Sequence, residues 1–66
     1  MTRREQQIIK AAKRLGFEVE ELTYDPAYRD WHVAFTDGDW LLIDSAAVAE
    51  AEFARHRHYL SSGRTA

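Results

Sequence analysis

The chain contains no cysteine. Disulfides and thiolate zinc sites are therefore excluded, and a reducing compartment, the cytoplasm by default, is the expected setting. Long apolar runs are also missing: Met1-Thr-Arg-Arg-Glu-Gln-Gln passes through Ile8-Ile9 and returns at once to Lys10. That is too short for a signal-peptide core or a membrane span, so no membrane partner is expected. Proline occurs once, at Pro26, and glycine three times, with no internal repeat, heptad pattern or linker long enough to divide the chain. The 66 residues read as a single domain, 1–66, with about 61–66 as a frayed tail. A domain of this size buries only about 60% of the surface its unfolded chain exposes, so its stability is marginal. Catalytic, cofactor and metal motifs are equally scarce. His56 and His58 stand two apart on an expected helix and point to different sides, whereas helical zinc ligands sit three or four apart, as in H-E-x-x-H. A capping or solvent role suits both better.

The scarcity that says most about function is that of cations in the middle of the chain. Between Glu18 and Glu52, Arg29 alone stands against Glu18, Glu20, Glu21, Asp25, Asp30, Asp37, Asp39, Asp44, Glu50 and Glu52, ten of the chain's 11 acids. Ten minus one leaves the stretch nine charges negative, while Arg3, Arg4, Lys10, Lys13 and Arg14 before it and Arg55, Arg57 and Arg64 after it restore a net charge of −2. Such a field repels nucleic acid and attracts basic protein surfaces. The expected partner is therefore a basic protein surface, with no direct nucleic-acid contact.

What is present orders itself as helix, three strands, helix. Ile8, Ala11, Ala12 and Leu15 recur at helical spacing between a capping box, Thr2 with Glu5, and a stop at Gly16. A first strand is expected over residues 17–24, with Phe17 and Val19 on one face, Glu18 and Glu20 on the other, and a bulge at Glu21-Leu22. Asp25-Pro26 marks a turn, and a second strand runs over about 29–36. Asp37-Gly38 then signals a two-residue type I′ hairpin into a third strand, 39–44. That turn sets Phe35 opposite Trp40 and Val33 opposite Leu42, gathering Trp31, Val33, Phe35, Trp40 and Leu42 on the expected core face. Asp30, His32, Ala34, Leu41 and Ile43 fall on the other. A final helix from Asp44 or Ser45 to about Leu60 places Ala46, Ala49, Phe53, His56 and Leu60 on one side. The expected fold class is α+β, α-β-β-β-α: a three-stranded antiparallel meander with two helices packed on one face.

Two resemblances follow. The element order, the segment Ile8-Ile9-Lys10-Ala11-Ala12-Lys13-Arg14-Leu15-Gly16-Phe17 and the pair His32 and Phe35 resemble the HicA-type RNA-cleaving toxins, which share the double-stranded-RNA-binding fold. That resemblance implies a catalytic role for His32. Asp30-Trp31 stands where the family has Gly-Ser, and the surface is acidic where an RNA binder is basic. In size, charge and lack of a catalytic signature the chain also resembles the small inhibitors that phages make against bacterial defence, including anti-CRISPR proteins. This second resemblance implies stoichiometric binding to a nuclease or surveillance complex at its DNA-binding surface.

The expected function is that of a non-enzymatic binding or inhibitor protein whose acidic strand-and-loop surface occupies a basic, nucleic-acid-binding site of a partner complex. Glu18, Glu20, Glu21, Asp25 and Asp30 would supply the field, and Tyr28 an aromatic anchor. The alternatives are the RNA-cleaving toxin using His32 and a structural module that dimerises through Leu41 and Ile43 on the open face.

Overall fold

The structure is a computed structural model and describes residues 1–63. Helix α1 spans Arg3–Arg14, and both of its predicted ends form. The Thr2 side chain accepts from the Glu5 N–H (3.2 Å) while the Glu5 carboxylate accepts from the Thr2 N–H (2.9 Å), so two first-turn donors are satisfied reciprocally. At the other end Gly16 adopts φ +85°, and the Phe17 and Gly16 N–H groups donate back to Ala12 O (2.9 Å) and Lys13 O (3.1 Å). This is a Schellman closure. It turns the chain sharply, so that Phe17 packs against the core that Ile8, Ala11 and Ala12 enter from the helix.

Strands β1 (Val19–Asp25), β2 (Asp30–Phe35) and β3 (Trp40–Ile43) form one antiparallel sheet in the order β1-β2-β3. The bulge in β1 falls one residue earlier than the alternation suggested. Val19 pairs with Phe35 and Glu21 with Ala34, leaving Glu20 as the extra residue, and Leu22 returns to the core side opposite Val33.

The second hairpin corrects the expected register. Gly38 alone in this turn has positive φ (+93°), its N–H donates to Phe35 O (3.2 Å), and the Phe35 N–H donates to Asp39 O (2.9 Å). Thr36, Asp37 and Gly38 thus form a three-residue turn with glycine in the left-handed position of a bulge, and not the two-residue turn in which Asp37 would also need positive φ. One added residue moves every β3 side chain to the other face. Trp31 pairs with Ile43, His32 with Leu42, Val33 with Leu41 and Ala34 with Trp40. Ile43 is fully buried and Leu41 packs against the core, while Trp40 and Leu42 are exposed. Leu41 and Ile43 are therefore not an open-face dimer patch.

After β3 a short 3-10 helix, Ala46–Val48, leads into α2, Ala49–Gly63. Ser45 occupies the cap position without a side-chain capping bond. The helix thus begins later than expected and continues beyond Leu60. Of the expected frayed tail, residues 61–63 are helical and residues 64–66 lie outside the described residues. Both helices cover the same sheet face: Ile8, Ala11 and Ala12 from α1 and Ala49 and Phe53 from α2 close on Trp31, Val33, Phe35 and Ile43. Phe17 stacks on Phe35 at 4.7 Å between ring centres, and Phe53 meets both rings at 5.8 and 6.1 Å. Arg57 Nη1 donates to Leu15 O (3.2 Å) and so holds α2 to the end of α1. Among the described residues no helix is long and apolar enough to cross a membrane.

Candidate functional site

The sheet face opposite the helices carries the exposed large apolar side chains that packing does not explain. By the pairing, Glu21, Thr23 and Asp25 of β1, Asp30, His32 and Ala34 of β2 and Trp40 and Leu42 of β3 share this face. Trp40 is 56% exposed and Leu42 48%, and the His32 ring meets Trp40 edge-on at 5.7 Å between centres. A single exposed leucine is ordinary. An exposed tryptophan beside an exposed leucine, rimmed by carboxylates, is the composition of an interaction surface with an apolar centre and a polar rim.

At the β1–β2 end the face deepens into an open basin of about 610 Å³, lined by Thr23, Asp25, Tyr28, Asp30, His32 and Leu42 among others. The loop before β2 builds its rim. Asp25 Oδ1 accepts from the Ala27 N–H (2.9 Å) and the Tyr28 N–H (3.4 Å), which folds the loop back and leaves Tyr28 80% exposed. Arg29 closes the loop at φ +55°, a left-handed conformation that costs a non-glycine residue about 1 kcal/mol. It then lines a different cavity, with Tyr24, Trp31 and Arg4. Asp25 and Asp30 stand directly opposite each other across the strands, a like-charge pairing that weakens a sheet. No lysine or arginine lines this basin among the described residues.

Of the six acids and aromatics expected to act together, the structure unites half. Asp25, Tyr28 and Asp30 meet at the basin. Glu21 lies on the same face opposite Ala34, and Glu20 sits in the bulge. Glu18 does not join them. Its carbonyl accepts from the Thr36 N–H (3.0 Å) at the far end of the sheet, six residues of strand from Asp30, or about 20 Å. Glu18 and Asp30 therefore stand at opposite ends of the sheet, and the acids that meet at the basin are Asp25 and Asp30, with Tyr28. Sequence reasoning placed Trp40 and Leu42 in the core and so missed the apolar centre; the one available signal was Gly38, which suits a three-residue turn as well as a two-residue one.

The three histidines separate in role. His32 is exposed on the open face. His56, expected to serve as a cap or to face solvent, is instead half-buried: its Nε2 lies 2.6 Å from Asp39 Oδ2 and its ring stacks on Phe35 and Tyr59. It ties α2 to the hairpin that presents Trp40. His58 is exposed, and no group of three or more histidine, aspartate or glutamate side chains among the described residues could hold a metal ion. Comparison of the chain with protein-family models, curated proteins and solved structures found no match.

Proposed function

We propose that the protein is a non-enzymatic binding module whose open sheet face docks on a basic surface of a partner, of the kind that nucleic-acid-handling proteins present. The carrying observation is the exposure of Trp40 and Leu42 on a face whose charged residues are all acidic. Apolar area supplies affinity once water is excluded, while carboxylates around it select a cationic partner and speed its approach. A lysine or arginine of the partner entering the basin would meet Asp25 and Asp30 together with the Tyr28 ring, combining charge pairing with cation–π contact. The same field opposes the approach of a phosphate backbone, which supports protein over nucleic acid as the ligand. Blocking a nucleic-acid site on the partner, as the small phage inhibitors do, follows from where such basic surfaces are needed.

The test is capture on immobilised protein from a lysate of the cell that makes it. Wild type is expected to retain a basic protein at low salt and release it as salt rises, because exposed charges are screened. The double variant Trp40→Ser/Leu42→Ser and the double variant Asp25→Asn/Asp30→Asn are each expected to lose it while keeping the wild-type circular dichroism spectrum. Equal retention by all three proteins would refute the proposal. His32 shares the face, so the toxin reading is checked in the same preparations: RNA cleavage by wild type and its loss in His32→Ala would replace binding with catalysis.

A further inference from the structure

The two edges of the sheet are not equivalent. The β1 edge is guarded by Glu20 and Glu21 and interrupted by the bulge at Glu20, devices that keep other strands from pairing. The β3 edge has neither. Its sequence, Trp40-Leu-Leu-Ile43, carries no charge, proline or glycine, and its pairing with β2 is regular throughout. Phe35 and Asp39 form a hydrogen-bonded pair, so by antiparallel alternation Leu41 and Ile43 also bond to β2. Trp40 and Leu42 therefore aim their N–H and C=O groups away from the sheet.

Resting on the binding-module reading above, we infer that the β3 edge accepts an extended, basic segment of the partner as a fourth strand. An antiparallel segment would exchange up to four backbone hydrogen bonds with Trp40 and Leu42. Its alternate side chains then fall on two different surfaces. Those on the open face lie beside Trp40 and Leu42, where a lysine or arginine gains cation–π contact. Those on the helix side enter a groove of about 290 Å³ between Leu41 and the α2 residues Glu52, Arg55, His56 and Tyr59, which suits an apolar side chain. Charge selects the occupant. The sheet and its turns, residues 18–44, hold Glu18, Glu20, Glu21, Asp25, Asp30, Asp37, Asp39 and Asp44 against Arg29 alone. A second copy of this chain would bring the same acids with it, whereas a basic strand neutralises them.

These 66 residues are within reach of chemical synthesis, which allows the Leu42 N–H to be replaced by an ester oxygen with every side chain unchanged. The probe is a seven-residue peptide alternating lysine and valine, with an alternating glutamate and valine peptide as control. Wild type is expected to bind the lysine peptide and not the glutamate one. The ester should weaken binding about tenfold, the loss of roughly one hydrogen bond, while lowering the urea midpoint only slightly, because that N–H has no partner within the sheet and the Leu41 carbonyl, paired with Val33, is weakened as an acceptor but kept. Lysine-peptide binding that is equal in wild type and ester overturns the inference, as does no binding at all. A sedimenting dimer that the ester dissociates, with no peptide bound, gives the edge to a second copy and overturns it too. Full retention of the lysate partner by the ester, with loss in Trp40→Ser/Leu42→Ser, overturns the added strand and leaves the open-face proposal standing alone.

Discussion

The register of the second hairpin decides which apolar residues the proposed docking face presents, and two alanine substitutions at neighbouring positions test it. Ile43 is fully buried between β2 and the helices, whereas Leu42 is 48% exposed on the open face. Ile43→Ala removes buried methylene groups and leaves a cavity in a packed core, a change that costs about 2–5 kcal/mol. Leu42→Ala loses roughly half of a leucine transfer energy and leaves no cavity, because the site opens to solvent; about 1 kcal/mol is expected. The gap of about 2 kcal/mol is close to 30-fold in the folding constant. At about 0.05–0.15 kcal/mol per residue, a 66-residue domain holds only about 3–10 kcal/mol in total, so the first variant approaches the limit of folding. Urea titration followed by far-ultraviolet circular dichroism reads the difference directly. With a slope near 1 kcal/mol per molar, Ile43→Ala should lower the midpoint by at least about 2 M and Leu42→Ala by about 1 M or less. A Leu42→Ala midpoint equal to or below that of Ile43→Ala would mean that the strand sits one residue over, with Trp40 and Leu42 in the core. The proposed docking face would then not exist.

Two further outcomes follow from local contacts. The Glu5 carboxyl is held below the usual carboxylate range by the Thr2 backbone N–H first and by the Thr2 hydroxyl second. A depressed acid stabilises the fold above its unfolded pKa of about 4.3 and loses that contribution as pH falls through its folded value; melting temperatures between about pH 5 and pH 3 should therefore fall less steeply in Glu5→Gln than in wild type. For the link between α2 and the hairpin, a double-mutant cycle of His56→Ala and Asp39→Ala should return a coupling of about 1 kcal/mol in urea titrations, and additive effects would show that the 2.6 Å approach contributes nothing.

Features closed within a few residues were legible in the sequence. The capping box of Thr2 and Glu5 and the left-handed Gly16 need only neighbours in the chain, and the helical spacing of Ile8, Ala11, Ala12 and Leu15 states which side of α1 is buried. The hairpin was not legible because Thr36-Asp37-Gly38 satisfies two turns equally: a two-residue turn centred on Asp37-Gly38, and a three-residue turn ending on Gly38. Local chemistry does not separate them. The choice is made at a distance, where Leu41 and Ile43 fit against Ala49 and Phe53 while Trp40 is left outside. The bond between His56 and Asp39 is likewise invisible in sequence, since it spans 17 positions and exists only once α2 has docked.

That one-residue difference changes what the acids can do. In the two-residue register the open face would carry Leu41 and Ile43, small aliphatic groups with no exposed tryptophan among them, and the carboxylates would be the charge any exposed strand carries. In the register the protein adopts, Trp40 stands in water at 56% exposure although Leu41 and Ile43 beside it are taken into the core. Leaving more than half of an indole outside forgoes burial worth about 1–2 kcal/mol in a domain with little stability to spare. Asp25 opposite Asp30 and Arg29 at φ +55° add two further local costs at the end of the same sheet where Tyr28 protrudes. Under the proposed docking, the exposed indole and the Asp25–Asp30 pair are the two costs that a cationic strand or side chain laid on the open face would offset, whereas the Arg29 side chain lines another cavity and its backbone closes the loop that carries Tyr28. The acidic stretch from Glu18 to Asp44 therefore divides by geometry: the acids beside Trp40, Leu42 and Tyr28 are the ones to which a partner's charge can be matched.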